Sequence, residues 1–287
     1  MGKSTLVNAV VGSKVAVVSD RSQTTRRAIR GIVNGERERE PYQLVLVDLP
    51  GFQSPRDALT ERMQRSVERE LKDCDGVLFV LNGAERSGAG DRFIARALKT
   101  SGVPVVVAVN KADLLDRAGT VRALSKAAEL EGAGLDLRAV FPISALRGKG
   151  IGPLRETLSE LLPEGPRYFP ESEVTDQPRE ILLSELIREQ ALRRTRQEVP
   201  HSLEAQVEEI DDRDGLAVVR AVIWVETDSQ KGILIGARGA MIRAIGIAAR
   251  REVARELGSR VHLDLTVKVR HAWRRDDALL DRLGIEP

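Results

Sequence analysis

Over the first 162 residues the apolar positions fall into two alternating rhythms. Short, nearly continuous apolar runs at 28–33, 43–48, 76–81, 103–110 and 139–143 have the length of buried strands. Between and around them, residues 4–11, 59–71, 92–101 and 120–131 carry apolar side chains at helical spacing. Strand and helix in regular alternation predict an α/β domain with a mostly parallel sheet covered on both faces, whose ligands bind beyond the carboxyl ends of the strands. Residues 163–177, with Pro163, Gly165, Pro166, Pro170 and several acids, have the composition of a linker. Beyond it the pattern predicts a helix over 179–196, strands at 203–210 and 216–226, a short helix, and a second helix ending near Leu257. In the last strand, 262–270, Leu263, Leu265, Val267 and Val269 face one way, while His262, Asp264, Thr266, Lys268 and Arg270 face the other. That order describes a smaller α+β domain, so the expected division is 1–162, a linker 163–177, and 178–287.

Charge sharpens the contrast between the two parts. The 287-residue chain is 42% hydrophobic and 31% charged, with a formal net charge of +2. Residues 231–275 alone hold 11 Lys/Arg against 3 Asp/Glu, a balance of +8 that leaves −6 for the rest. A polyanionic partner is therefore expected for the C-terminal part only. The single cysteine, Cys74, excludes an internal disulfide and reads as a small buried residue ahead of a strand. No apolar run approaches the ~20 residues of a membrane span. Lys3, Ser4 and Asn8 interrupt what would be the apolar core of a signal peptide, so a cytoplasmic protein is expected.

The candidate chemistry lies at strand ends. Gly2-Lys3-Ser4-Thr5 is the second half of a phosphate-binding loop, G-x-x-x-x-G-K-[ST], in which Lys3 meets the β- and γ-phosphates and Ser4 offers its hydroxyl to Mg²⁺. By itself this tetrapeptide is a weak signal. Asp48-Leu49-Pro50-Gly51 has the D-x-x-G pattern of nucleotide-hydrolysing switches: the carboxylate reaches Mg²⁺ through water and the Gly51 N–H meets the γ-phosphate. Asn110-Lys111-Ala112-Asp113 is far more specific. A carboxylate at the base edge accepts from both N1–H and the 2-amino group of guanine, whereas adenine would leave it unpaired. Ser144-Ala145-Leu146, after the next strand, supplies a backbone N–H for the guanine carbonyl.

In that order, with Ser22-Gln23-Thr24-Thr25-Arg26 between the first two motifs, the chain resembles the Era family, within the translation-factor-related class of small GTPases, from Gly2 essentially to its end. The resemblance implies a P-loop NTPase G domain with its first strand missing, followed by a type II KH domain. It implies GTP, GDP and Mg²⁺ as ligands. Gln23, Thr24, Thr25 and Arg26 would be switch I, with Mg²⁺ held by Ser4, by Thr24 or Thr25, and by Asp48 through water. Gly236-Ala237-Arg238-Gly239 matches the G-x-x-G loop of a KH domain, where glycines admit a sugar-phosphate backbone and the next helix turns its N–H groups to phosphate. Arg243, Lys268, Arg270 and Trp273 join it as expected RNA contacts; Trp273 either stacks on a base or packs on the domain core. The implied partners are small-subunit ribosomal RNA and the pre-small subunit, bound by a monomer with weak peripheral membrane contact.

Two departures from the family pattern carry expectations. The first P-loop glycine and its strand are absent, and Met1 stands where the family often has valine, which points to an extension omitted by a misplaced start. Phe52 follows Gly51 where Ras-like enzymes place a water-orienting glutamine, which implies slow hydrolysis and leaves no side chain as general base. Two other readings stand beside the switch: an RNA-binding module whose nucleotide site does not function, and a tRNA-modification GTPase, which shares Q-T-T-R but is not expected to carry G-x-x-G in a basic setting.

Overall fold

The computed structural model describes every residue except 19–24, 52–54, 86–87, 133, 196–198, 214 and 287. The chain forms two compact units, and their membership is not sequential. One comprises Met1–Ala16, Ala28–Phe52 and Ser66–Asp176; the other comprises Val17–Arg27, Gln53–Arg65 and Gln177–Pro287.

The first unit opens with α1 (Lys3–Val11), bounded by Gly2 and Gly12, both at positive φ. After it, the Asn8 side chain accepts from the N–H groups of Val15 and Ala16 and donates to the Ala16 carbonyl, satisfying a turn that has no ladder of its own. An antiparallel hairpin follows, β1 (Ile29–Arg37) and β2 (Glu40–Asp48), with Ile29 opposite Asp48. Then come α2 (Ala58–Asp73), β3 (Val77–Asn82), α3 (Ala89–Ser101), β4 (Val105–Asn110), α4 (Arg117–Gly132), β5 (Leu137–Pro142) and α5 (Ile151–Glu160). Strands β3, β4 and β5 form a parallel sheet in that order. All six residues of β4 are buried, which is why its sequence is a continuous apolar run with no alternation. Its even-numbered members Val106 and Ala108 join Leu6, Val10, Leu154 and Leu158 in one core, while Val105, Val107 and Val109 join Phe79, Leu98 and Ala127 in another.

Two features of this unit depart from the sequence pattern. Helix α5 was not expected, because Gly150, Gly152 and Pro153 resemble loop punctuation; Gly150 sits at φ 77° as its cap, and buried Leu154 and Leu158 anchor it. Residues 163–177 are no free tether. The Gln43 carboxamide accepts from the N–H groups of Tyr168 and Phe169 and donates to the Phe169 carbonyl, Ile32 N–H donates to Val174 O at 2.9 Å, and Arg30 pairs with Asp176. The segment is a strap hydrogen-bonded along the hairpin.

The second unit contains α6 (Arg179–Arg194), α7 (Val199–Ser202), β6 (Glu204–Arg213), β7 (Leu216–Val225), α8 (Asp228–Ile235), α9 (Ala240–Leu257), β8 (Arg260–Val269) and α10 (Asp277–Arg282). Its sheet runs β6-β7-β8, the first pair antiparallel and the second parallel. The alternation along β8 is present, with Val261 and Val267 buried and His262, Asp264, Thr266 and Lys268 exposed. A satellite core joins Leu59 and Met63 to Trp273, Leu279, Leu280, Leu283 and Ile285. No single helix among the described residues is long and apolar enough to cross a membrane; α8 and α9, bent by 42°, pass that test only as a pair, by length and composition.

Candidate nucleotide site and nucleic-acid interface

The C-terminal ends of β2 and β4 converge on the start of α1. Lys3 Nζ donates to the Leu49 carbonyl at 2.7 Å, and Ser4 Oγ donates to Asp48 Oδ2 at 2.6 Å. Desolvation pulls the Lys3 ammonium below its ordinary pKa, partly offset by the Asp48 charge. The Ser4 hydroxyl and the buried Asp48 carboxylate form an oxygen-only donor pair, which suits a hard divalent cation that keeps several waters and takes its other ligands from phosphate. Among the described residues no group of three or more His, Cys, Asp or Glu could hold a metal ion. Thr5 is half-buried one position further along α1. A Cβ built on Gly51 would meet nothing within 4 Å, so only an approaching ligand would demand glycine there.

Asn110 ties three segments together. Its Nδ2 donates to the Met1 carbonyl at 2.9 Å, and its Oδ1 accepts from Lys111 N–H at 2.8 Å and Ala145 N–H at 3.0 Å. A side chain on Gly2, which sits at φ 88°, would put its Cβ 2.7 Å from Asn110 Nδ2. The carboxamide is therefore a brace, and the Ala145 N–H expected at the base is taken up by it. The N–H of Leu146, whose side chain is exposed, is the next donor in that loop. Lys111 adopts φ 65°, turning the chain so that Asp113 is exposed. A hydrogen bond from the buried Ser144 holds the Asp113 carboxyl below its ordinary pKa, keeping it ionised for a base-edge donor pair.

Of the expected switch I residues, Gln23 and Thr24 lie outside the described residues, as does Phe52. Thr25 and Arg26 are buried members of the second unit. Arg26 Nη1 donates to Glu204 Oε2 at 2.7 Å and to the Leu203 carbonyl at 2.8 Å, and its guanidinium lies 5.6 Å from the Trp273 ring centroid. Arg27 donates to Glu185 and to the Leu283 carbonyl, while Arg188 donates to Glu185 at 2.6 Å and stands 3.3 Å from Glu204. Three guanidiniums and two carboxylates thus share one buried cluster. Arg26 and Glu204 are 178 residues apart along the chain and Arg27 and Glu185 are 158 apart, pairings that no local pattern could reveal.

In the second unit, Thr227 and Gln230 form a capping box that starts α8, and Gly236-Ala237-Arg238-Gly239 turns the chain into α9. At Gly236, φ 70°, a Cβ would lie 2.7 Å from the Met241 Cβ and 2.9 Å from its backbone N, so the tight passage requires glycine. Arg238 and Arg243 are exposed beside it, together with the apolar Ile233, Ile235 and Ile247. Those isoleucines escaped the sequence reading because they sit at helical spacing and look like core. Lys268, half-exposed, stands 3.5 Å from Glu208, and Arg270 pairs with Asp276. Trp273 corrects an expectation. It is fully buried, its Nε1–H donates to the Ser202 carbonyl at 2.8 Å, and Leu59, Met63 and Leu279 share its core, so its ring has no free face for a base.

Comparison with known proteins gives two family matches, 50S ribosome-binding GTPase over residues 1–111 and KH domain over residues 198–274. Among curated relatives, GTPase Era of Carboxydothermus hydrogenoformans is 41% identical over 286 residues, covering 99% of this chain and 93% of its own. GTPase Era of Mycobacterium tuberculosis strain H37Ra is 43% identical, covering 99% and 94%. The crystal structure of Era in complex with MgGDPNP and nucleotides 1506–1542 of 16S ribosomal RNA superposes over 100% of this chain and 95% of that one, with a TM-score of 0.92 at 34% identity. A single-residue variant of Aquifex aeolicus Era bound to GDP·AlF4⁻ also gives a TM-score of 0.92, at 33% identity over 100% of this chain and 95% of its own.

Proposed function

The chain belongs to the Era family of GTPases, and from that premise we propose that it is a GTP-binding, slowly GTP-hydrolysing switch that holds small-subunit ribosomal RNA through its KH domain during maturation of that subunit. The observation that carries the proposal is the Asn110 brace. By joining Met1, Lys111 and Ala145 it collects the phosphate loop, the base-recognition turn and the following loop at one end of the strands. Lys3 then meets phosphate charge and Asp113 reads the guanine edge. Ser4, and Asp48 through water, would hold Mg²⁺, which when bound would supply positive charge against the phosphates. Ser4 and Asp48, already 2.6 Å apart, need little rearrangement to share it. Phenylalanine follows Gly51 where Ras-like enzymes place a water-orienting glutamine, and slow hydrolysis with a long-lived bound state fits that difference.

Arg238, Arg243 and the N–H groups opening α9 face the sugar-phosphate chain, and Ile233, Ile235 and Ile247 give the bases an apolar surface. The description of the G-domain family names the large subunit, but the relative similar along the whole chain was crystallised with a 16S fragment, and small-subunit RNA is the partner we favour. A cytoplasmic site of action follows from that partner. The test is binding of a labelled RNA with the sequence of nucleotides 1506–1542 against a tRNA, at several salt concentrations. Preference for the 16S fragment, with a salt slope that flattens in Arg238→Ala, is expected; equal binding of both RNAs would overturn the assignment.

A further inference from the structure

Helix α2 begins at Ala58, seven residues after Gly51, and it does not belong to one unit throughout. Gln53–Arg65 are part of the second unit, and the helix from Ser66 onwards is part of the first. Leu59, Arg62 and Met63 share one face of its opening turns by their i, i+3, i+4 spacing. Leu59 and Met63 are buried in the satellite core around Trp273, whereas Leu71, three turns on, packs on a core of the first unit.

The polar contacts of those opening turns go to the end of the chain. Arg62 is buried; its Nη1 donates to Asp281 Oδ1 at 2.6 Å and to the Ile285 carbonyl at 2.7 Å, and its Nη2 donates to Asp277 Oδ1 at 2.7 Å. At the helix start, Asp57 Oδ1 accepts from Thr60 N–H, while Asp57 Oδ2 lies 2.7 Å from Arg274 Nη2. The partner side is equally defined. Asp276 caps α10 by accepting from Leu279 N–H and is itself held by Arg270, so Asp277 and Asp281, four residues apart on α10, meet Arg62 together.

Stability is not the main product of these ion pairs. The Asp277 and Asp281 side chains are 72% and 62% exposed, and carboxylates so open to water contribute little when paired. What they fix is direction. A planar guanidinium that donates to three acceptors has one orientation, and the opening turns of α2 are fixed with it.

We propose that Arg62 is a positioning residue for GTP hydrolysis: clamped by Asp277, Asp281 and the Ile285 carbonyl, it fixes the far end of the segment that leads out of Asp48–Gly51. The role rests on the GTP site proposed above. With that end fixed, the chain carrying the Gly51 N–H to the γ-phosphate has fewer conformations to lose when GTP binds. GDP has no γ-phosphate, so the clamp acts on GTP and its hydrolysis and leaves GDP binding alone.

The test compares the full chain with Asp277→Asn/Asp281→Asn, which removes both charges and keeps the apolar core, and with Arg62→Lys, which keeps the charge but loses the planar fork. Four measurements are made: single-turnover hydrolysis of GTP, dissociation of fluorescent GDP, hydrogen exchange of the Arg62 and Met63 amides, and urea unfolding followed by tryptophan fluorescence. In both variants hydrolysis is expected to slow about tenfold through lost positioning, and GDP to dissociate within about twofold of the parent rate. The two amides should exchange faster, at an unchanged unfolding midpoint. Unchanged or faster hydrolysis, an equal weakening of GDP binding, or a loss of hydrolysis that tracks a lower midpoint would overturn the proposal. A parent chain that binds no GDP would refute the nucleotide site instead. Amide exchange would then decide the clamp: faster exchange in the variants upholds it, and unchanged exchange removes it.

Discussion

Replacing Glu204 with glutamine preserves the shape of a fully buried side chain and removes its charge. In the parent, Glu204 accepts from Arg26 at 2.7 Å and lies 3.3 Å from Arg188 and 3.8 Å from Arg27. Burial alone would raise its carboxyl; the guanidiniums of Arg188, Arg27 and Arg26 outweigh burial and draw it from 4.5 to about 2. A drop of that size corresponds to about 3 kcal/mol of folded-state preference for the carboxylate. Breaking a buried ion pair gives an independent figure of about 3–5 kcal/mol, since the variant leaves buried guanidinium charge without the Glu204 carboxylate. Glu204→Gln is therefore expected to lose about 3 kcal/mol at neutral pH. The sign with pH is fixed by the depressed carboxyl: the contribution is complete above the unfolded value of 4.5 and disappears as pH falls towards about 2. Parent and variant should converge over that window. Both tryptophans, Trp224 and Trp273, belong to the second unit, so their fluorescence during urea unfolding reports the unit that contains the cluster. A loss below about 1 kcal/mol at pH 7, or a difference that does not change between pH 5 and pH 3, would refute the reasoning.

Further perturbations separate the roles of individual residues. Asn110→Ala removes three hydrogen bonds worth about 1 kcal/mol each, so affinity for fluorescent GDP should fall by about a hundredfold; a change within experimental error would mean that the loops are held in register by something else. Gly236→Ala forces a side chain against Met241 at positive φ, with a strain of about 1–3 kcal/mol, and is expected to weaken RNA binding in anisotropy assays while leaving GDP binding unchanged. Trp273→Phe loses the hydrogen bond to Ser202 and should lower the melting temperature by an amount equivalent to about 1–3 kcal/mol. Its RNA affinity should match the parent's, whereas a selective loss of RNA binding would reinstate stacking.

The part of the molecule legible in the sequence was the part written locally. The β4 run announced itself as a strand buried on both faces, and the motifs at 48–51, 110–113 and 144–146 could be assigned to strand ends because each follows an apolar run. What escaped was decided by distant partners. The strap at 163–177 is held by Gln43, Asn34 and Arg30 of the hairpin, polar residues that carry no local signal of it. Arg26 read as a switch residue, yet its guanidinium pairs with Glu204, beside Arg27 on Glu185. Asn110 also braces three backbone segments, a role that depends on the fold bringing Met1 and Ala145 to it.

The most direct test of a guanine-specific site at these strand ends is a titration of the chain with fluorescent GDP, GTP and ADP in the presence of Mg²⁺, repeated with Asp113→Ala. The account predicts binding of both guanine nucleotides, with ADP weaker by at least about a hundredfold because it leaves the Asp113 carboxylate unpaired, and loss of that preference in the variant. Equal affinity for ADP and GDP, or a preference that survives without the Asp113 carboxylate, would contradict it.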